Sequence, residues 1–320
     1  MADRRGSLGA AAVLLLAGGM LAGCDEQGDA TATDRSSGSP SEAPSRAPTH
    51  EATPSAGGES GGTPASRLQG VPDLPPAGDA AGLASHLARV VRVLDDDGAS
   101  PADTRRAARF EQLAARVLGT ASDEFTAAVL SRLNGAARAR TRRHLEAAAL
   151  LNAMTDPQPE LPDWRIVDPP PPEELLAHYR FAAGRVGVPW NYLAAIHLVE
   201  TRMGRLRGVS TAGALGPMQF LPTTWDLYGE GGDINDPRDA ILAAARLLRA
   251  NGAPGDMAEA VWHYNPSDNY VGAVTRYAQQ LRSAPETYRG YWHWQVLYKH
   301  ARGTYVLEVG YPRVRPRLLG

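Results

Sequence analysis

Trp190-Asn191-Tyr192-Leu193-Ala194-Ala195-Ile196-His197-Leu198-Val199-Glu200-Thr201-Arg202-Met203-Gly204 is the stretch from which the reading starts. It reads as an amphipathic helix opened by Pro189, with Glu200 near its end. Next comes a Gly-rich elbow, Ser210-Thr211-Ala212-Gly213-Ala214-Leu215-Gly216-Pro217-Met218-Gln219-Phe220. Gly213 and Gly216 permit positive φ or close backbone approach. Gln219 can donate and accept, which suits a sugar hydroxyl or amide. Phe220 and Trp225 offer stacking surface. Tyr264-Asn265-Pro266-Ser267 then reads as a helix end, with Asn before Pro as terminator. Each piece has an ordinary reading too. A Glu at a helix end is commonly solvated, and the elbow could be a plain turn with Met218 and Phe220 in the core.

A magnitude shows what the acid would need. At a pKa near 4.3, only roughly 0.2% of a carboxyl group is protonated at pH 7, against roughly a quarter at about 6.5. The difference costs on the order of 3 kcal/mol, and desolvation among Ile196, Leu198 and Val199 acts in that direction. No second acid shares so conspicuous a setting. Asp236 and Asp239 read as caps of a helix running to Ala250, and Asp233 stands just before them. His197 lies three residues before Glu200, but the zinc pattern His-Glu-x-x-His is absent, so no metal is expected. No Ser-His-Asp arrangement and no phosphate-binding Gly loop occurs, and no cofactor is expected.

Helical periodicity surrounds these motifs. Helices are expected from Glu173 to Val186, at Pro222-Thr223-Thr224-Trp225, from Met257 to His263 and from Asp268 to Leu281. The segment 156–172 is a Pro-rich connector, extended by composition. Before it, 79–155 is a helical region of unknown role, with Ser100 and Pro101 marking one helix start. Its arginines are expected on a solvated face. After the helices, 291–298 and 304–309 are strand-like, with 299–303 as a hairpin loop. That hairpin either packs on the helical body or offers a sugar-stacking rim of Trp and Tyr.

The 320-residue chain is 43% hydrophobic and 21% charged, with a formal net charge of −2. Such a balance excludes a broad basic field, so nucleic acid is not an expected partner. Asp3-Arg4-Arg5 and the apolar run from Leu8 to Leu21 read as a secretory signal over 1–23. Leu21-Ala22-Gly23-Cys24 resembles a bacterial lipobox, in which the Cys is lipidated; the alternative is an ordinary signal with a chance Cys. Cys24 is the one cysteine, so no internal disulfide can form. Residues 24–78 are rich in Ser, Thr, Pro, Gly and Ala and read as a flexible tether. About fifty residues of such coil span roughly 40 Å on average.

In order and spacing, Glu200-Thr201, Gly216-Pro217-Met218-Gln219-Phe220 and Tyr264-Asn265 resemble the lytic murein transglycosylases. Ser210 through Phe220, followed by Asp233-Ile234-Asn235-Asp236-Pro237, is most similar to the membrane-bound transglycosylase B branch, and the tail to its actinobacterial members. The resemblance covers about Pro170 to Arg282. It implies a mainly α, goose-lysozyme-like (α+β) fold over 173–320, with Glu200 as general acid and then base. Ser210, Met218, Gln219, Tyr264 and Asn265 are implied as substrate-binding residues. Thr201 stands where relatives carry Ser, and His263 where they carry Ala. The calcium loop of some relatives is shortened here to Gly231-Gly232-Asp233-Ile234-Asn235-Asp236.

A lone acid suits this chemistry. Ordinary glycosidases use two carboxyl groups. A lytic transglycosylase lets the muramic acid's own 6-hydroxyl replace water, leaving a 1,6-anhydro end. The resemblance therefore implies cleavage of the β-1,4 bond between N-acetylmuramic acid and N-acetylglucosamine in a lipid-anchored, wall-facing enzyme. Peptidoglycan strands are the expected partner, the membrane is a second one through the lipid, and wall-synthesis or division proteins are candidates. The alternatives are a water-using muramidase of the same fold and an inactive glycan-binding lipoprotein.

Overall fold

The computed structural model describes residues 66–319. The signal 1–23, Cys24 and the tether up to residue 65 lie outside the described residues.

Four helices come first: α1 (Ala80–Leu94), α2 (Pro101–Thr120), α3 (Asp123–Ser131) and α4 (Gly135–Ala153). Their starts follow local capping chemistry. Ser100 Oγ accepts from the Asp103 N–H, with Pro101 in the first turn, as the sequence suggests. Asp79, Ser122 and Asn134 cap the other three in the same way. Ahead of α1, Leu68 and Val71 are buried in the core, although composition assigns their stretch to the tether.

The second set comprises α5 (Pro172–Val186), α6 (Trp190–Thr201), α7 (Pro222–Tyr228), α8 (Pro237–Ala250), α9 (Met257–Tyr264) and α10 (Asp268–Ser283). Every residue of α6 from Leu193 to Thr201 is buried. The helix is therefore not amphipathic as the sequence suggests. It runs between α5, α8 and α10, and a helix covered on every side must be apolar all round. That central position is what takes Glu200 away from water.

One hydrophobic cluster joins both sets, from Leu68 through Leu151 to Trp294. The main seam is α4 against α10. At Gly272, a Cβ would lie 2.9 Å from Leu150 Cδ1, so the small residue lets the two helices close up. Along the seam, Arg276 Nε meets Glu146 at 2.7 Å and Arg143 Nη1 donates to Gln280 Oε1 at 2.9 Å. The expected solvated face of α4 is thus only partly solvated. Arg140 is 3% exposed and paired with buried Glu111, since the face it occupies is covered by α2.

The expected C-terminal hairpin forms, but its first strand is shorter than the sequence suggests. Tyr291 and Trp292 belong to a short helix, α11 (Thr287–Trp292), and the first strand starts later, at β3 (Val296–His300). Packing overrides their β-propensity: Tyr291 is fully buried against Tyr277, Trp294 and His144. β3 pairs antiparallel with β4 (Gly303–Leu307), and a third strand, β5 (Arg317–Leu318), completes the sheet. Tyr291, Trp294 and Tyr298 are core residues, which leaves the sugar-stacking rim without its central rings.

The Pro-rich connector is laced into the body. Its β1 (Arg165–Ile166) pairs antiparallel with β2 (Leu206–Arg207), directly after the Glu200 helix. Proline lacks an N–H but keeps its carbonyl, and aromatic side chains use it. Tyr311 donates to Pro162 O, Trp292 to Pro170 O and Tyr288 to Pro172 O, at 2.6–2.9 Å.

Candidate active site

Glu200 sits in the last turn of α6 and is 3% exposed. Its Oε1 accepts a 2.5 Å hydrogen bond from the Tyr270 hydroxyl, in the first turn of α10. Burial raises the carboxyl pKa to about 8; the Tyr270 hydrogen bond and the Arg202 charge oppose that and are outweighed. The shift exceeds the value near 6.5 considered from sequence, because the whole helix is enclosed. With a pKa of about 8, roughly nine-tenths of Glu200 is protonated at pH 7. Among the described residues no other carboxylate acts on it. Burial and the nearby Glu200 hold the Tyr270 hydroxyl well above the usual tyrosine range, so Tyr270 is a donor at any working pH.

The elbow is built from backbone. Leu215 and Phe220 exchange N–H···O bonds at 2.8 and 2.9 Å, closing a loop of Gly216-Pro217-Met218-Gln219. Two of these residues need left-handed backbone, Gly216 at φ 74° and Gln219 at φ 51°. Only glycine fits at 216, since a Cβ there would sit 1.9 Å from the Ile234 carbonyl oxygen. Gln219 Nε2 donates to Gly216 O at 2.8 Å, whereas its Oε1 is buried with no partner among the described residues. Ser210 exchanges backbone bonds within its own turn, and its Oγ accepts from the Ala214 N–H at 2.8 Å.

Three contacts bind the elbow to the acid. Thr201 Oγ1 donates to Pro217 O at 2.6 Å and accepts from the Gly204 N–H at 3.0 Å. The hydroxyl that Thr201 shares with Ser is therefore the group in use. Tyr264 donates to Met218 O at 2.5 Å, and its ring stacks on that of Tyr270 with centroids 6.4 Å apart. A continuous circuit results: Glu200 to Tyr270, Tyr264, Met218, Pro217 and back to Thr201. Within it Met218 offers its carbonyl while its side chain is wholly buried in the core. Asn265, the C-cap of α9, is 5% exposed, and its backbone carbonyl accepts from the Ser267 N–H at 2.8 Å.

The sequence reading missed Tyr270 and Arg202. A signal for Tyr270 exists. It opens the buried stripe Tyr270, Ala273, Val274, Tyr277, Leu281, and it is a polar-tipped ring just past the Tyr-Asn pair. The remaining candidates are engaged elsewhere. His197 Nδ1 lies 2.6 Å from the Tyr179 hydroxyl, and burial lowers its pKa to about 3. Asp236 caps α8, Asp239 Oδ2 accepts from the Asp233 N–H, and Asp233 Oδ1 accepts from the Asn235 N–H.

Residues 178–285 match the transglycosylase SLT domain. The matched segment opens within α5 and closes just past α10, so it holds Glu200, the elbow, the Tyr-Asn pair and Tyr270. The SLT domain is lysozyme-like, in keeping with the mainly helical architecture and its small antiparallel sheet. The match supports peptidoglycan lytic transglycosylase activity in general, and with it binding of glycan strands. No curated protein and no solved structure matches the chain.

Proposed function

We propose that the SLT domain cleaves the β-1,4 bond between N-acetylmuramic acid and N-acetylglucosamine, with Glu200 as its single acid–base group. One observation carries this reading: a buried glutamic acid that keeps its proton near neutral pH, with no second carboxylate acting on it among the described residues. In the first step Glu200 gives its proton to the glycosidic oxygen, and the bond from that oxygen to the muramic C1 breaks. The carboxylate left behind sits in a desolvated site and is a strong base. It takes the proton of the same sugar's 6-hydroxyl while that oxygen bonds to C1, closing a 1,6-anhydro ring. No water is consumed, and the tethered hydroxyl has an entropic advantage over water.

Tyr270 steadies the carboxylate between the two steps. Gln219, whose amide oxygen has no partner among the described residues, would contact the glycan together with Ser210 and Asn265; Met218 and Tyr264 would hold the elbow in register. In the same reading the chain belongs to the membrane-bound transglycosylase B-like branch. Cys24 would carry the lipid, and the tether would let the domain reach the wall from the membrane.

Digestion of purified peptidoglycan followed by mass spectrometry tests the reaction. The expected muropeptides end in anhydro-muramic acid, one water lighter than hydrolysed ones. Reducing-end products from the parent chain would instead show that water is the nucleophile. Loss of membrane association in Cys24→Ala is the expected result for the anchor.

A further inference from the structure

A cavity of about 260 Å³ lies between α2 and α4 on one side and β3 and β4 on the other, with Arg202 and Tyr277 in its wall. Arg116, Arg202 and Lys299 line it, and no Asp or Glu does. Among the described residues, none of these three cations forms an ion pair, whereas Arg140, Arg246 and Arg276 each have a carboxylate. Their partners are neutral. Arg116 donates to Thr304 Oγ1 at 2.7 Å, Lys299 to the carbonyls of Thr155 and Asn152 at 2.8 and 3.3 Å, and Arg202 to Leu198 O at 2.5 Å.

Neutral acceptors satisfy donors but do not cancel charge, and no carboxylate in this wall does so. Two further donors in this wall have no partner among the described residues, Arg202 Nε and Trp294 Nε1. Trp294 is 2% exposed. Ala115, Ala149, Leu151 and Leu297 give the wall apolar stretches beside the polar Gln112, Thr120 and Asn152. At ~30 Å³ per water-sized group, the space holds about nine such groups, a short ligand and not a polymer segment.

We propose that this cavity binds a small organic anion, a carboxylate on a short apolar body, held by Arg116, Arg202 and Lys299. Two sources carry that chemistry, a free short-chain acid and the C-terminal carboxylate of a short peptide. Arg202, whose charge also acts on Glu200, is shared with the active site, but binding needs no turnover, so a catalytically silent chain would still bind.

The test is an NMR titration of the full chain with butyrate, with N-acetyl-alanyl-alanine and with inorganic phosphate. It follows the Trp294 indole N–H, assigned by its loss in Trp294→Phe. The expected result is a saturating shift with at least one of the carboxylates. Lys299→Gln and Arg116→Gln should each weaken binding about tenfold, the second while keeping an amide for Thr304. Tighter binding of the dipeptide assigns the site to peptide ends, and tighter binding of butyrate to free acids. Shifts that never saturate, equal binding of phosphate, or affinities unchanged in both folded variants would overturn the proposal. Circular dichroism checks that the variants fold.

Discussion

Glu111 and Glu200 are equally buried, each 3% exposed, yet they hold opposite charge states. Glu111, on α2, faces Arg140 Nε at 2.6 Å and Nη2 at 3.3 Å. Burial pushes its carboxyl up, but the Arg140 charge and hydrogen bonds outweigh this and leave it below the ordinary range. His144 lies nearby, but burial lowers its pKa to about 4, so at neutral pH Arg140 alone supplies the compensating charge. Glu200 has only a tyrosine hydroxyl and a more distant guanidinium, and its pKa rises to about 8. Burial therefore does not make an acid. Burial without a paired cation does, and the same chain contains both cases, one in its supporting helices and one in its SLT domain.

The largest test of this contrast removes the proton carrier. Glu200→Gln should cut wall digestion by about 10²- to 10⁴-fold, the usual worth of general acid–base assistance. Equal digestion by the folded variant would falsify the assignment. At the other glutamate the loss should be in stability. Arg140→Met leaves Glu111 buried and unpaired, and should cost about 3–5 kcal/mol in denaturant unfolding. Adding Glu111→Leu should return much of it, because a well-packed apolar pair avoids the desolvation penalty. No recovery in the double variant would mean that the ion pair itself holds α2 to α4.

The two glutamates should also tilt stability with pH in opposite senses. The raised pKa of Glu200 gives the folded state extra protons, so stability falls as pH rises from 4.5 through about 8. Glu200→Gln lacks that slope and should gain on the order of a few kcal/mol over the parent by pH 8, and little at pH 4. Glu111 is depressed, so its contribution is present above the ordinary carboxylate range and lost as pH falls through its folded pKa. The cost of Glu111→Gln should therefore shrink in acid. Thermal unfolding across pH reads both trends, and parallel slopes in the two variants would contradict the comparison.

Smaller effects refine the active side. Tyr270→Phe removes a hydrogen bond to the charged form of Glu200. Turnover should fall about 10- to 100-fold, and the alkaline limb of the pH–rate profile should move upward. Thr201→Val strands the Pro217 carbonyl and the Gly204 N–H, at about 1–3 kcal/mol of stability, while Thr201→Ser should be close to neutral. If Ser and Val behaved alike at 201, the hydroxyl would have no part in fixing the elbow.

Local chemistry was legible in the sequence. Ser100 and Asp236 announce their helices because an N-cap is satisfied within three residues. Gly216 announces a special backbone because only glycine tolerates that φ with a carbonyl so close. The order of Glu200, the elbow and the Tyr-Asn pair carried the resemblance to the lytic transglycosylases, and the SLT domain match covers all three. What the sequence could not settle depends on distant chain. Nothing within α6 reveals that three other helices enclose it, so its own pattern reads as one-sided and its Glu as solvated. Tyr291 and Trp292 read as strand because aromatic propensity is local, whereas the contacts with His144 and Tyr277 that bury Tyr291 are not. Glu111 and Glu200 are the same residue on the same kind of helix. Only tertiary structure brings Arg140 from α4 to one and Tyr270 from α10 to the other, and the dielectric surroundings and neighbouring charge so assembled decide which carboxyl keeps its proton.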